Sequence, residues 1–183
     1  MCCLIIVPAG KAVPSKDILS AVAKRNPDGL GFATKTRCFK SMDFETFYKE
    51  LCKVDVNEDV ILHARYATHG SVKISNCHPF FNEETNTYFF HNGILSIHPR
   101  EDMTDSETAF RDILVPVIKQ YGLNSKELAE AVENIIGASK FAMMQDGNIR
   151  LFGRYTEVDG ILYSNLHFVG CIRDFRTYLR FAS

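Results

Sequence analysis

Two predicted helices lie next to each other in the middle of the chain, and predicted strands precede and follow them. The first helix spans 106–121 and ends at Gly122, and the second begins soon after it with Asn124 as its cap. A parallel α/β sheet would need strands and helices to alternate regularly along the chain, which these do not. The pattern therefore favours an α+β fold, with antiparallel sheets and segregated helices.

The remaining segments complete this pattern. Apolar spacing predicts helices after Pro14-Ser15 and over 43–53, and apolar runs predict strands at 2–7, 30–33, 59–66, 140–145, 148–154 and 161–168. The pair Asn92-Gly93 is a strong hairpin signal, so we predict two short strands around it, at 88–91 and 94–97. The chain has 183 residues without a repeat or linker, which predicts a single domain over 1–183.

Composition argues against several classes of function. The formal net charge is -1, without a long run of one sign, which argues against a nucleic-acid-binding surface. No apolar run approaches the ~20 residues of a membrane span, and no signal peptide precedes Cys2. We therefore expect a soluble, cytoplasmic protein in which most of the cysteines are buried, reduced thiols.

The second residue of the chain is a cysteine. Initiator methionine is usually removed when the second residue is small, and its removal would leave Cys2 with both a thiol and a free α-amine. The thiol can act as a nucleophile, and an amine with a pKa near ~8 can act as its base. The alternative is that Cys2 is a buried residue of the first strand.

Polar side chains are concentrated near the ends of predicted strands, at 63–70, 76–80 and 91–93. The guanidinium of Arg65 could bind a substrate carboxylate or pair with an internal acid. Asn92 and Gly93 could together stabilise a reacting oxygen, although the same pair is also the hairpin signal. Asp105 could bind an ammonium group at the start of a helix for which Ser106 is the expected cap.

Four histidines and a cysteine in this part of the chain raise the question of a metal site: His63, His69, Cys77, His78 and His91. Their spacing matches no zinc-binding pattern, and only one cysteine is present among them. We therefore predict that the protein uses neither a metal nor another cofactor.

Taken in order, these segments resemble the class II glutamine amidotransferases, a branch of the N-terminal nucleophile hydrolases. Each motif is short, but their joint order is specific, and the match spans residues 2 to about 120. The resemblance implies a four-layer αββα sandwich. The motifs are Met1-Cys2, Asn26-Pro27-Asp28-Gly29-Leu30-Gly31, Arg65-Tyr66-Ala67-Thr68-His69-Gly70 with Asn76-Cys77-His78-Pro79, His91-Asn92-Gly93 and Asp105-Ser106-Glu107.

The resemblance also implies a role for each site residue. The thiolate of Cys2 attacks the side-chain amide of glutamine, and its own α-amine carries the proton. Asn92 and Gly93 hold the oxyanion. Arg65 binds the α-carboxylate of the substrate and Asp105 its α-ammonium, while Thr68 and His69 support the pocket wall.

Two residues differ from the pattern of relatives. Cys3 stands where Gly or Arg is common, and Tyr66 stands where the sugar-phosphate amidotransferases carry Trp.

No segment resembles a synthetase, phosphoribosyltransferase or sugar isomerase domain. We therefore predict a free-standing glutaminase-type amidohydrolase that supplies ammonia to a separate synthase partner and binds neither nucleic acid nor membrane. The alternatives are a hydrolase of another γ-glutamyl amide without ammonia channelling, and a non-catalytic binding subunit on the same fold.

Overall fold

The computed structural model describes residues 1–67 and 71–182. The strands in these ranges are β1 (Cys3–Val7), β2 (Leu30–Ala33), β3 (Cys38–Ser41), β4 (Val60–Ala64), β5 (Phe80–Asn82), β6 (Thr87–Asn92), β7 (Lys140–Gln145), β8 (Asn148–Phe152), β9 (Thr156–Val158) and β10 (Ile161–Tyr163). The α-helices are α1 (Lys16–Arg25), α2 (Phe44–Leu51), α3 (Asp105–Ala109), α4 (Val115–Tyr121), α5 (Lys126–Ile136) and α6 (Phe175–Ala182).

The strands form two antiparallel sheets. The first sheet has the order β3-β2-β4-β1-β10-β9, and the second has the order β5-β6-β7-β8. In the first sheet β1 is paired on both sides, with β4 and with β10. Cys3 is opposite Ala64 in the β1–β4 pair, so the first residue of β1 and the last residue of β4 lie next to each other, at the same end of these two strands.

Alternating side chains of β1 belong to two different cores, because successive residues of a strand point to opposite faces. Leu4 and Ile6 pack with Phe90 and Met144 of the second sheet. Ile5, with the other residues of that face, packs with the apolar sides of α1 and α2. The first sheet therefore lies between a helical layer and the second sheet.

Helices α3, α4 and α5 cover the outer face of the second sheet. Phe89 and Phe141 of that sheet are fully buried against Phe110, Leu114 and other apolar residues of this helical layer. The layers are thus helix, sheet, sheet and helix, which confirms the predicted αββα sandwich. None of the described helices is long and apolar enough to cross a membrane.

The predicted hairpin at Asn92-Gly93 is wrong. β6 extends to Asn92, but residues 94–97 form no strand. The neighbouring position is already occupied by β7, where Lys140 is opposite Asn92, so β6 has no free edge for a second hairpin strand. The chain instead leaves the sheet at Gly93, and the backbone N–H of Leu95 donates to Asp105 over 2.9 Å.

The other differences from the predictions are local. The predicted helix over 106–121 is built from α3, a π-helical turn at Phe110–Leu114 and α4. Thr104 rather than Ser106 caps α3, and Ser125 rather than Asn124 caps α5. The short strands β3, β5 and β9 were not predicted.

Candidate active site

A cavity of about 300 Å³ lies at the ends of central strands of the two sheets. It is surrounded by the start of β1, the end of β4, the end of β6 and the start of α3. All of the predicted site residues that the structure describes line this cavity: Cys2, Arg65, Asn92, Gly93 and Asp105. The other two, Thr68 and His69, lie outside the described residues.

Cys2 immediately precedes β1, and its thiol contacts the segment that follows β4. The backbone N–H of Tyr66 donates to Cys2 Sγ over 3.3 Å. Burial raises the pKa of the Cys2 thiol, and the hydrogen bond with the backbone of Tyr66 opposes that shift. A thiol whose pKa is raised in this way needs a base close by before it can act as a nucleophile.

Asn92 and Gly93 lie at the end of β6, on the opposite sheet from Cys2. The Asn92 side chain is completely buried, and its Nδ2 atom lies 2.8 Å from the hydroxyl oxygen of Ser164. Gly93 has φ 148°, and a Cβ atom there would lie only 2.0 Å from Ser139 Oγ. The glycine is therefore required by close packing and by its backbone conformation, not by a hairpin turn.

Arg65 directly follows β4, and the turn at Asp28-Gly29 holds its backbone. Its N–H donates to the carbonyl of Gly29 over 2.8 Å, and its carbonyl accepts from the N–H of Asp28 over 3.0 Å. The carboxylate of Asp28 also accepts from the N–H of Ala67 over 2.7 Å. The motif at 26–31 therefore supports the chain on both sides of Arg65, and the Arg65 side chain is buried at the cavity wall.

Asp105 is fixed by three hydrogen-bond donors. Oδ2 accepts from the N–H of Leu95 over 2.9 Å, and Oδ1 accepts from the N–H of Ser106 over 2.8 Å and from its hydroxyl over 3.2 Å. An ionised carboxylate has about four lone-pair sites, so it retains capacity for a further donor. An ammonium group entering the cavity could supply that donor.

Three buried histidines, His63, His78 and His91, lie close together beside the cavity. The rings of His63 and His78 have centroids 4.3 Å apart, and His91 Nδ1 lies 2.7 Å from the hydroxyl of Ser106. Burial lowers the pKa of His63 to about 3 and that of His91 to about 4, and it lowers the pKa of His78 well below its ordinary value. All three are therefore neutral at pH 7. Across 1–67 and 71–182 we find no group of three His, Cys, Asp or Glu side chains arranged to hold a metal ion.

Sequence reasoning did not single out Ser164 and Asn165 as site residues, although they contact its central elements. Ser164 bonds to Asn92, and Asn165 Nδ2 donates to the backbone carbonyl of Cys2 over 2.7 Å. The two residues directly follow β10, just as Arg65 directly follows β4. A polar pair immediately after a buried strand was the signal that could have identified them.

Comparison with solved structures shows the same fold in two longer proteins. Glutamine phosphoribosylpyrophosphate amidotransferase from B. subtilis, in complex with ADP and GMP, is 19% identical with a TM-score of 0.58. A structure described as the allosteric regulatory enzyme of purine biosynthesis is 17% identical with a TM-score of 0.57. Each alignment covers 89% of this chain but only 41% of the other chain.

Comparison with family models gives a more specific result than the shared fold. The search of curated proteins finds no match. The family model described as class-II glutamine amidotransferases matches residues 47–153, which include Arg65, Asn92, Gly93 and Asp105 but not Cys2. Since this match covers more than half of the chain and agrees with the motifs and the fold, the chain belongs to the class II glutamine amidotransferases, a family of enzymes.

Proposed function

We propose that this enzyme hydrolyses the side-chain amide of glutamine, or of a compound with the same γ-glutamyl group, through a thioester at Cys2. The observation that carries this proposal is the convergence of five residues from distant parts of the chain on one cavity: Cys2, Arg65, Asn92, Gly93 and Asp105. A nucleophile, an oxyanion site and two charged groups for an amino-acid head group are together what this reaction requires.

Removal of Met1 before the first turnover gives Cys2 a free α-amine. The amine accepts the thiol proton, and the thiolate attacks the amide carbon of the substrate. The N–H of Gly93 and the amide of Asn92 donate to the resulting oxyanion. The amine then returns the proton to the departing nitrogen, ammonia leaves, and water hydrolyses the thioester to release the acid and restore the thiol.

The two charged side chains of the cavity support glutamine as the substrate. Arg65 would bind the α-carboxylate, and Asp105 would bind the α-ammonium. A γ-glutamyl compound keeps both groups, whereas an internal residue of a peptide has neither. Thr68 and His69 would support the pocket wall, as the family resemblance implies.

Purified enzyme incubated with glutamine tests the proposal. We expect equal amounts of glutamate and ammonia, and the intact mass of the protein should show that Met1 is absent. A glutamine-like electrophile should add once, at Cys2, and no adduct should form in a Cys2→Ala variant. Absence of glutamate release, or an adduct at another cysteine, would contradict the proposal. A panel of γ-glutamyl amides then ranks glutamine against other substrates.

We also propose that the ammonia is passed to a synthase partner. In both structural neighbours the shared fold covers only 41% of the chain, so it is joined there to additional protein. Closure of loops or domains over a bound substrate excludes water from a reaction, and we infer that a partner promotes such closure in this chain. We expect weak glutaminase activity from the isolated chain and higher activity when the partner has bound its acceptor.

Co-purification from the native cell tests this second proposal. Glutaminase activity is compared with and without the captured protein, and with a Cys2→Ala version of the chain as the control for contaminating enzymes. Stimulation by the captured protein is the expected result. Full activity from the isolated chain, with no partner recovered, would instead favour a self-sufficient amidohydrolase.

A further inference from the structure

Ser164 forms a hydrogen-bonded link between the two sheets beside the active site. It directly follows β10, it is buried, and its Oγ accepts from the N–H of Leu4 in β1 over 2.8 Å. The same Oγ lies 2.8 Å from Nδ2 of Asn92 at the end of β6. The next residue, Asn165, holds the carbonyl of Cys2. The proposed nucleophile and the proposed oxyanion site are therefore both anchored to one dipeptide.

The hydrogen bonds around Ser164 are not fully satisfied in this arrangement. When Oγ accepts from both Leu4 and Asn92, its proton is left for the sulfur of Cys3, which is a weak acceptor. Meanwhile the Oδ1 atom of Asn92 is buried and has no hydrogen-bond partner within 1–67 and 71–182. A buried acceptor without a partner is costly.

Reversing the Asn92 amide gives Oδ1 a hydrogen-bond partner without changing the shape of the side chain, because the oxygen and nitrogen exchange places. The N–H of Leu4 still occupies one lone pair of Ser164 Oγ, and the hydroxyl proton can then be donated to Asn92 Oδ1. Nδ2 then points away from Ser164. The reversed amide leaves Nδ2 as the buried atom without a partner among the described residues, and because Asn92 lines the cavity, a substrate oxygen could serve as its acceptor.

We propose that Ser164 is a positioning residue that donates its hydroxyl proton to Asn92 Oδ1 and so turns the Asn92 amide nitrogen toward the reacting oxygen. This inference rests on the proposed function, because it gives Asn92 its orientation as an oxyanion donor. Without the hydroxyl, the oxygen of the amide can face the oxyanion, and the two would repel each other.

A double-mutant cycle measures whether Ser164 acts through Asn92. We expect Ser164→Ala to lower kcat for glutamine by ~10-fold or more, somewhat less than the ~10²–10³ expected for loss of an oxyanion donor. KM and the rate of Cys2 alkylation by iodoacetamide should stay close to wild type. In an Asn92→Ala background, adding Ser164→Ala should change kcat by less than ~2-fold, because the group that it orients is absent.

Matched substitutions separate the hydroxyl from packing. Ser164→Thr and Ser164→Val introduce side chains of nearly the same shape as each other, but only threonine keeps the hydroxyl. The Thr variant should therefore retain most of kcat, and the Val variant should lose it. Ser20→Ala, on an exposed position of α1, is the control, and melting temperatures are recorded for all variants.

Three results would overturn the inference. Equal kcat for the Thr and Val variants would show that the hydroxyl is not used. An undiminished effect of Ser164→Ala in the Asn92→Ala background would show that Ser164 does not act through Asn92. In either case wild-type glutaminase activity leaves the proposed function intact. A wild-type enzyme that releases no glutamate would overturn both proposals together.

Discussion

The backbone nitrogen of Tyr66 donates a hydrogen bond to the thiol of Cys2 over 3.3 Å, although the two residues are 64 positions apart in the chain. The pairing of β1 with β4 explains this proximity, because Cys3 is opposite Ala64 and the following residues continue past the sheet together. The register of one strand pair therefore brings the proposed nucleophile beside the segment that carries Arg65.

Cys2→Ala should abolish glutamate release, whereas Cys3→Ala should retain most of it. The two thiols are adjacent in sequence, but Cys3 is fully buried, and burial raises its pKa to about 12. Its thiolate is therefore not populated at neutral pH, and only Cys2 can carry the free α-amine. Glutamate release is measured for both variants at equal protein concentration. Wild-type activity from the Cys2→Ala enzyme would rule out the thioester mechanism.

Asn92→Ala should lower kcat by ~10²–10³ because it removes one of the two proposed donors to the oxyanion. The substitution also removes the hydrogen bond to Ser164, so we expect a loss of about 1–3 kcal/mol in the free energy of unfolding. Steady-state kinetics and thermal unfolding are measured on the same preparation. If kcat is unchanged while the protein loses its stability, Asn92 has only a structural role.

Arg65→Lys should raise KM for glutamine by ~10- to 100-fold. Lysine keeps the charge but lacks the planar pair of donors, and hydrogen bonds to charged groups contribute about 1.5–3 kcal/mol. Arg37→Lys is a suitable control, because Arg37 pairs with Glu50 away from the cavity. An unchanged KM, with activity on amides that lack an α-carboxylate, would instead favour the hydrolase of another amide.

The buried histidines should make the fold sensitive to acid. Their pKa values are lowered by burial, to about 3 for His63 and about 4 for His91, and the pKa of His78 is also well below its usual range. Unfolded histidines bind protons near pH ~6.5, so their contribution to stability is complete above that pH and decreases as the pH falls toward about 4. Each one contributes a slope of up to ~1.4 kcal/mol per pH unit in that range.

Urea unfolding at several pH values between 7 and 5 measures this slope. His78→Phe should flatten the slope relative to the parent protein, because Phe does not titrate and the ring already packs against Phe80. His98→Phe, at an exposed position, should leave the slope unchanged. Lys40 and Arg65 also disfavour protonation of His78, so they remain unchanged in these variants. A parent stability that does not vary between pH 7 and pH 5 would contradict the prediction.

Antiparallel sheets with segregated helices could be predicted from the order of the elements, which periodicity and turn residues reveal, whereas the four layers were implied by the family resemblance. The hairpin could not be excluded, since Asn92-Gly93 fits both a tight turn and a site where Ser139 approaches the backbone closely. Only the neighbouring strand β7 decides between them. The two helix caps differ from the predicted ones by one or two residues because Asn124 and Ser125, like Thr104 and Ser106, all have side chains that can cap a helix.

The site itself could be predicted in part. The motif residues were identifiable because their order along the chain matches a known family, and five of them meet in the cavity. Thr68 and His69 stay predictions, as does the single domain over 1–183. Ser164 could not be assigned a role from sequence, because a serine is common at strand ends and its bonds to Leu4 and Asn92 depend on packing between sheets.

Met1 lines the cavity beside Cys2, while β1 is paired with β4 from Cys3 onward and with β10 from Ile5. Residues added before Met1 would therefore begin at the wall of this cavity. An affinity tag that is retained at the amino terminus would keep the Cys2 nitrogen as an amide, which cannot act as the proposed base. None of the described residues of α6 lines the cavity, so a tag after α6 leaves it open. Recombinant production of active enzyme thus depends on which end of the chain carries the tag.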